Sequence, residues 1–273
     1  MTSAAPKRVT APDGCALVYS LLSDAGPDAP RLALVHSLAM DRHFWQGVAG
    51  ALDGRASVLA LDCRGHGESS KPAGPYSAEQ FGDDLAVVLD AVGWDGAIVA
   101  GASMGGCVAL AFAANHSGRT KGLGLIDTTA WYGDDAPDAW ADRAIKAQSS
   151  GMAALIGFQV SRWFSDAFRE SRRDVVEAAI STFLRNDVEA YAATCGMLGA
   201  CDLRAALPNI TAPTRVIVGE EDYATPVAMA TALRDGIPGA ELTVLDGVRH
   251  FTPLECPERI AAEFTKLIEA SQA

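Results

Sequence analysis

The amino-acid sequence predicts an α/β fold, with an eight-stranded, mostly parallel sheet, helices on both of its faces and a helical cap. Short apolar runs alternate with amphipathic stretches along most of the chain, which is the pattern of strands joined by crossover helices. The 273 residues suffice for one full-sized domain with a modest insertion. Residues 131–207 interrupt the alternation with a helical pattern, and this segment predicts the cap.

The strand predictions rest on short apolar runs bounded by turn residues. Asp13-Gly14 is a turn signal that joins the first two strands. A stretch rich in Gly, Pro and Asp, residues 23–30, separates the second strand from the third. The predicted strands are Lys7–Thr10, Cys15–Leu22, Leu32–His36, Ser57–Leu61, Ala97–Gly101, Gly122–Asp127, Arg215–Gly219 and Glu241–Leu245.

The helix predictions rest on amphipathic stretches with start and stop signals. Ser77 suits an N-cap, with Gln80 at the capping-box position. Pro257 suits a first helical position, and Gly93 suits a helix end. The predicted helices of the core are Asp41–Leu52, Ala78–Val92, Met104–Asn115, Pro226–Gly236 and Pro257–Ala270.

The strand–helix alternation ends after Asp127. From Trp131 to about Leu207, Ile, Val, Phe and Leu recur at helical spacing, and Ile210-Thr-Ala-Pro213 then leads back into a strand. An insertion between two strands of one sheet is a cap rather than a separate domain. We therefore predict a core of residues 1–130 and 208–273 and a helical cap of residues 131–207.

Charge and composition exclude several kinds of partner. The net charge of −12 argues against nucleic acid and against an anionic membrane, because both bind a basic face. Met1–Pro12 has no apolar run typical of a signal peptide, and no stretch approaches the ~18 apolar residues of a membrane span. The 6 cysteines lack C-x-x-C spacing, which favours a reducing compartment. We expect a cytoplasmic monomer or small homo-oligomer whose partner is a small molecule.

Several cofactor motifs are absent from the sequence. It has no G-x-x-x-x-G-K-[ST], no G-x-G-x-x-G that opens a helix after the first strand, and no H-E-x-x-H. Nucleotide, dinucleotide and zinc-dependent chemistries therefore lack support. We predict that the protein uses no cofactor and no metal ion.

The strongest motif is Gly101-Ala-Ser-Met-Gly-Gly106, which lies between a predicted strand and a predicted helix. This context predicts a nucleophile elbow, a sharp turn that presents the Ser103 hydroxyl clear of the backbone. Small residues must flank such a turn, and the N-terminus of the following helix favours developing negative charge. The alternative is that Ser103 only caps that helix.

A serine nucleophile needs a base, and the base needs an acid that orients it. Of the 5 histidines, only His250 lies between the last strand and the last helix, as the chain order serine, acid, histidine requires. Its alternative role is packing or capping near that helix. Asp222, after the seventh strand, is the predicted acid; Glu220, Glu221 and Asp127 are the competing carboxylates.

A tetrahedral intermediate needs two backbone N–H donors to stabilise its oxyanion. One is expected from Met104, the residue after the nucleophile. The other is expected from the loop His36-Ser-Leu-Ala39 after the third strand, and we assign it to Leu38.

These motifs together resemble the α/β-hydrolase superfamily over nearly the whole chain. The resemblance is carried by Leu34-Val-His-Ser-Leu, Asp62-Cys-Arg-Gly-His-Gly-Glu-Ser69, Gly101–Gly106, Gly219–Pro226 and the His250 segment. More narrowly, the chain resembles 3-oxoadipate enol-lactonases in the segments His36–Trp45, Pro72–Tyr76, Gly151-Met152, Arg162-Trp-Phe164 and Ile237–Ala240. It departs from that branch at Ala39, Ala102 and Arg249.

The resemblance implies a substrate with a free carboxylate and a cation in the cap to bind it. Arg162 is the leading candidate, with Arg143 and Lys146 behind it, although a solvated surface arginine is the alternative. Trp131, Trp163 and Phe164 are expected to line an apolar pocket between cap and core, with Trp131 the best placed.

The sequence therefore predicts a serine hydrolase that cleaves a small carboxylic ester or lactone, with 3-oxoadipate enol-lactone as the specific candidate. A general carboxylesterase and a hydrolase of C–C bonds are alternatives with the same fold. A non-catalytic ligand receptor that reuses the fold is the alternative from another class. Whether an acyl-enzyme forms or water attacks directly is open at this point.

Overall fold

A computed structural model describes residues 5–272 and contains one eight-stranded sheet in the order β1-β2-β4-β3-β5-β6-β7-β8. The pairs β1–β2 and β2–β4 are antiparallel, and the other five pairs are parallel. The predicted sheet is confirmed. Its strands are β1 (Lys7–Thr10), β2 (Ala16–Ser23), β3 (Arg31–Val35), β4 (Ser57–Asp62), β5 (Ala97–Ala102), β6 (Thr120–Ile126), β7 (Thr214–Gly219) and β8 (Glu241–Leu245).

The apolar runs of the central strands reflect burial on both faces. Every residue of β4 and β5 is buried, as expected for parallel strands with helices on either side. The edge strand β1 is mostly exposed and carries Lys7 and Arg8, charges that oppose pairing with another chain. Residues 1–4 and 273 of the predicted core, and with them the start of the Met1–Pro12 stretch, lie outside the described residues.

Eleven α-helices are present in the described part of the chain. α2 packs against α3, and α1 packs against α11. Short 3-10 helices occur at Arg42–Trp45, Ser117–Arg119, Met152–Leu155 and Arg204–Asn209. The α-helices are α1 (Gln46–Ala51), α2 (Ala78–Ala91), α3 (Met104–Asn115), α4 (Ala136–Ser150), α5 (Ile156–Trp163), α6 (Asp166–Ser171), α7 (Arg173–Leu184), α8 (Val188–Ala200), α9 (Val227–Gly236), α10 (Thr252–Glu255) and α11 (Pro257–Gln272).

The ends of the helices follow the local capping chemistry. The Ser77 hydroxyl accepts a hydrogen bond from the Gln80 amide at 3.1 Å, as the capping motif predicted. The helix predicted for 41–52 differs, because it begins as the 3-10 turn Arg42–Trp45 and becomes α-helical only in α1. The Asp41 carboxylate accepts from the His43 amide and fixes that tight first turn.

The segment between β6 and β7 contains α4 to α8. An isolated antiparallel bridge between Trp131 and Asp202 joins its two ends. The end of α5 is bound to the loop after β8, since the His250 and Phe251 amides donate to the carbonyl groups of Arg162 and Trp163 at 3.3 and 2.9 Å. This helical segment therefore lies next to the carboxyl ends of the strands. Within residues 5–272, no helix has the length and apolar character needed to cross a bilayer.

Candidate active site

Ser103 occupies the sharp turn between β5 and α3. Its backbone has φ 55° and ψ −117°, a conformation that costs energy in a residue other than glycine. Two contacts hold it: the Ser103 amide donates to the Ile126 carbonyl at 2.9 Å, and the Thr128 hydroxyl donates to the Ser103 carbonyl at 2.7 Å. The strained turn is thus fixed by the neighbouring strand β6 and the residues after it.

The glycines of the motif are required by close packing. A Cβ atom on Gly101 would overlap the carbonyl group of Gly105. A Cβ on Gly105 would overlap the carbonyl oxygen of Val35, and one on Gly106 would overlap the Thr128 side chain. The sequence pattern therefore encodes the approach of α3 to the ends of β3, β5 and β6.

Replacing Gly105 by alanine should lower the free energy of unfolding by about 3 kcal/mol or more, because the added methyl group meets backbone that cannot move aside. Gly118→Ala is the matched control, since a Cβ there meets no atom within 4 Å. Urea denaturation of both variants would measure the effect. Equal stability of the two variants would contradict the packing argument.

Ser103, His250 and Asp222 form a continuous chain of hydrogen bonds. His250 Nε2 lies 2.9 Å from Ser103 Oγ, and His250 Nδ1 lies 2.8 Å from Asp222 Oδ2. All three residues are buried. Because an ionised carboxylate only accepts, Nδ1 carries the proton and Nε2 is free to accept the serine proton.

The Asp222 carboxylate is held by the turn that follows it. Its Oδ1 accepts from the amides of Ala224 and Thr225 at 2.7 and 2.9 Å, and its Oδ2 accepts from the Thr225 hydroxyl at 2.8 Å. Burial alone would raise the pKa of Asp222. The interaction with His250, together with the hydrogen bonds of the two amides, holds that pKa below its ordinary value.

The competing carboxylates lie elsewhere. Glu220 accepts from the Gly247 amide, and Glu221 pairs with Arg249. Asp127 is fully buried and accepts from the Gly219 amide at 3.0 Å and the Thr252 hydroxyl at 2.6 Å. Burial and the negative charge of Asp222 raise the pKa of Asp127 well above its ordinary value.

Arg249 connects the His250 loop to the helical segment. Its Nη1 donates to the carbonyl groups of Ser161 and Phe164 and to the Asp166 carboxylate, at 2.8 to 3.1 Å. Its Nε donates to Glu221 at 3.2 Å. One largely buried side chain thus links α5, α6 and the loop of Asp222 next to His250.

The Leu38 and Met104 amides have no hydrogen-bond acceptor among residues 5–272. Buried His36 positions the Leu38 loop, because its Nδ1 donates to the Ser37 carbonyl at 2.8 Å and its Nε2 accepts from the Cys63 amide at 3.0 Å. Burial lowers the pKa of His36, which keeps the ring neutral and able to accept. Two free N–H groups therefore lie beside the Ser103 turn.

A cavity of about 560 Å³ lies between the helical segment and the ends of the strands. Ser103, His250 and Leu38 line it on one side. The predicted Arg162 and Trp163 line it on the other, together with Arg143 and Lys146. Trp163 is buried and stacks on Phe251, with 4.8 Å between ring centroids.

Two predicted aromatic residues do not line this cavity. The guanidinium carbon of Arg204 lies 3.7 Å from the centroid of the Trp131 ring. Trp131 borders a separate apolar cavity. Phe164 is fully buried against Phe168 and Phe251. The prediction that Trp131 lines the cavity of Ser103 is therefore corrected: Trp131 borders the separate cavity, and its backbone forms an isolated bridge with Asp202.

Residues 32–263 match the sequence model of a protein family whose description is "Alpha/beta hydrolase family". The chain belongs to the alpha/beta hydrolase family. This match confirms the family resemblance and the fold class predicted from the sequence. The protein is a hydrolase.

The relatives of this hydrolase include lactonases and esterases. The 3-oxoadipate enol-lactonase 2 of Acinetobacter baylyi is 32% identical over 243 residues, which are 89% of each chain. An enol-lactonase from Burkholderia xenovorans LB400 has a TM-score of 0.89 at 32% identity and covers 98% of this chain and 100% of its own. A thermophilic esterase from Thermogutta terrifontis has a TM-score of 0.90 at 28% identity, covering 99% and 100%. The narrower resemblance to enol-lactonases is confirmed.

The motif from Asp62 to Ser69 has a structural role in this hydrolase. Asp62 accepts from the Arg42 and Glu68 amides at 2.7 and 2.8 Å. Arg64 forms a two-pronged pair with buried Asp84, both contacts at 2.6 Å. The motif therefore organises the loop after β4. In residues 5–272, no group of three or more His, Cys, Asp or Glu side chains is arranged to hold a metal ion.

Tyr132 and Gln159 line the cavity but were missed by the sequence analysis. Neighbouring side chains in extended backbone point to opposite sides, so Tyr132 faces the cavity once Trp131 faces away. Gln159 lies on α5, where sequence alone does not indicate which polar residue faces inward. The one indication in the sequence was the spacing of four residues between Gln159 and Trp163, which places both on the same face of a helix.

Proposed function

We propose that this hydrolase cleaves a small carboxylic ester or lactone, with Ser103 as nucleophile, His250 as general base and Asp222 as the orienting acid. The single observation that carries the proposal is the hydrogen-bond chain from Ser103 Oγ through both ring nitrogens of His250 to Asp222. The lactonase and esterase relatives support the bond class.

The steps of the proposed reaction follow from this geometry. His250 Nε2 takes the hydroxyl proton as Ser103 Oγ attacks the carbonyl carbon, and the Asp222 carboxylate stabilises the imidazolium that forms. The imidazolium then returns its proton to the leaving alkoxide oxygen. A lactone opens at this step and stays attached through its acyl group. Water, deprotonated by His250, then attacks the acyl-enzyme, and the imidazolium returns that proton to Ser103 Oγ as the acyl–oxygen bond breaks and the acid is released.

The developing oxyanion is bound by the free amides of Leu38 and Met104. The Met104 amide is at the N-terminus of α3, where the helix dipole adds positive potential. The neutral His36 ring fixes the Leu38 loop before substrate binds. This preorganisation requires no cofactor.

We propose that residues 131–207 act as the cap and that the substrate is an enol-lactone with a free carboxylate, such as 3-oxoadipate enol-lactone. Arg162 lines the cavity, and within residues 5–272 its guanidinium lies over the Phe158 ring, 4.2 Å from the ring centroid, with no ion pair to a carboxylate. Burial, and then the nearby charge of Arg143, lower the pKa of Arg162, and the negative charge of a bound carboxylate would oppose both effects. All six cysteines are unpaired, which supports a cytoplasmic location.

The substrate proposal is tested by comparing loss of enol-lactone absorbance with hydrolysis of p-nitrophenyl acetate. We expect kcat/KM for the lactone to exceed that for the acetate by about 100-fold or more. The reason is that binding of the part of the lactone remote from the reacting bond lowers the activation barrier at that bond. Arg162→Met should reduce this ratio at least about tenfold, while the acetate reaction reports the intact triad. Turnover of the acetate without the lactone would favour a general carboxylesterase, which the esterase relative supports.

A further inference from the structure

Gln159 lines the catalytic cavity and carries an unpaired side-chain nitrogen. The residue is 3% exposed and lines the cavity that contains Ser103. Its side-chain nitrogen Nε2 is buried and has no hydrogen-bond partner among residues 5–272. Buried side-chain amides are nearly always paired, so this nitrogen requires an explanation.

The position of Gln159 is fixed relative to the triad. Trp163, one helical turn further along α5, stacks on Phe251, and its carbonyl accepts from the Phe251 amide at 2.9 Å. Phe251 directly follows His250. Because residues four apart share one helix face, Gln159 is held on the same face as Trp163, towards the cavity.

Packing alone does not account for a glutamine here. A methionine has nearly the same length and would fill the space without a polar group that loses its water. Leaving an amide buried and unpaired destabilises the folded chain. That cost is offset when a ligand in the cavity supplies the missing acceptor.

We propose that Gln159 is a specificity-determining residue whose Nε2–H donates to an acceptor oxygen on the acyl part of the substrate. This inference rests on the proposed ester or lactone hydrolysis. The substrate class is an ester or lactone with a second oxygen function, a ketone or a carboxylate, remote from the bond that is cleaved. Arg162, three residues further on, supplies charge to the same cavity, whereas Gln159 supplies a neutral, directional donor.

Three p-nitrophenyl esters of matched length test the proposal: the pentanoate, the 4-oxopentanoate and the butanedioate monoester. We expect the intact enzyme to prefer at least one oxygenated ester over the pentanoate by about tenfold in kcat/KM. In Gln159→Met this ratio should fall to about one. Gln148→Met, the same exchange at an exposed position of α4, should keep the full ratio.

Two further measurements separate recognition from packing. Gln159→Met should melt at the same temperature or higher, because it removes an unpaired buried amide. Gln159→Glu, which at neutral pH accepts but does not donate, should lose the ratio as well. The proposal is overturned if Gln159→Met keeps the preference for the oxygenated ester over the pentanoate. It is also overturned if the melting temperature of Gln159→Met falls and all three esters are hydrolysed more slowly by the same factor. Loss of the preference in Arg162→Met alone would overturn it as well.

Failure of this inference is distinguishable from failure of the proposed function. An intact enzyme that hydrolyses none of the three esters, nor the enol-lactone, would contradict ester and lactone hydrolysis itself. An enzyme that hydrolyses the esters with no dependence on residue 159 would contradict only the role of Gln159.

Discussion

Replacing Ser103 by alanine is expected to lower kcat on the order of 10⁶-fold, since the nucleophile, and with it the covalent intermediate, is lost. The Ser103 hydroxyl donates to His250 Nε2, and His250 Nδ1 in turn donates to Asp222. Alanine at this position keeps the strained turn and adds no atom, so folding should be unaffected. Kinetics with p-nitrophenyl acetate, beside a melting curve, would measure both effects.

Thr265→Ala provides a matched control for Ser103→Ala. It also removes one hydroxyl group, but from α11, where within residues 5–272 Thr265 Oγ1 donates to the Ala261 carbonyl and to no other group. This variant should hydrolyse the ester at the rate of the unmodified enzyme. If Ser103→Ala and Thr265→Ala were equally active, attack by Ser103 would be ruled out, and direct activation of water by His250 would become the better account.

Replacing Asp222 by asparagine is expected to lower kcat by about 10⁴-fold. The asparagine amide would donate towards His250 Nδ1, which forces the proton onto Nε2 and removes the acceptor for the serine proton. The volume of the side chain is unchanged. The amides of Ala224 and Thr225 still find an oxygen acceptor at Oδ1. The loss should therefore appear in kcat rather than in the folded fraction.

Asp127→Asn distinguishes the two buried carboxylates. Asp127 bonds to Gly219 and Thr252 and has no hydrogen bond to His250 in the described chain. We expect this variant to lose stability, about 1 to 3 kcal/mol for the disturbed hydrogen bonds, and to stay far more active than Asp222→Asn. Comparable losses of kcat in the two variants would contradict the assignment of Asp222 as the orienting acid.

The elbow and the positions of the strands along the chain could be predicted because their determinants are local. Gly101 and Gly105 are required by the close approach of backbone, and Gly106 by the contact with the Thr128 side chain. A strand before the motif and a helix after it leave little choice of geometry. The loop of Asp222 was also predictable, because its position after β7 follows from chain order. These features depend on residues that are neighbours in sequence.

The cavity wall was less predictable because it depends on contacts between distant residues. Trp131 borders a different cavity from Ser103, and its backbone pairs with Asp202, a residue far along the chain. Arg249 looked like a departure beside the base, yet it binds carbonyl groups of the helical segment. Gln159 became recognisable only once its burial and its unpaired nitrogen were known.

The nucleophilic role of Ser103 is tested most directly by labelling with a fluorophosphonate and locating the adduct by mass spectrometry. A serine activated by His250 and beside two free amides should react rapidly, and the label should lie on the peptide that contains Ser103. Labelling should disappear in Ser103→Ala and become much slower in Asp222→Asn. Folded, hydrolytically active enzyme that takes no label, or that carries it on another residue, would contradict the account.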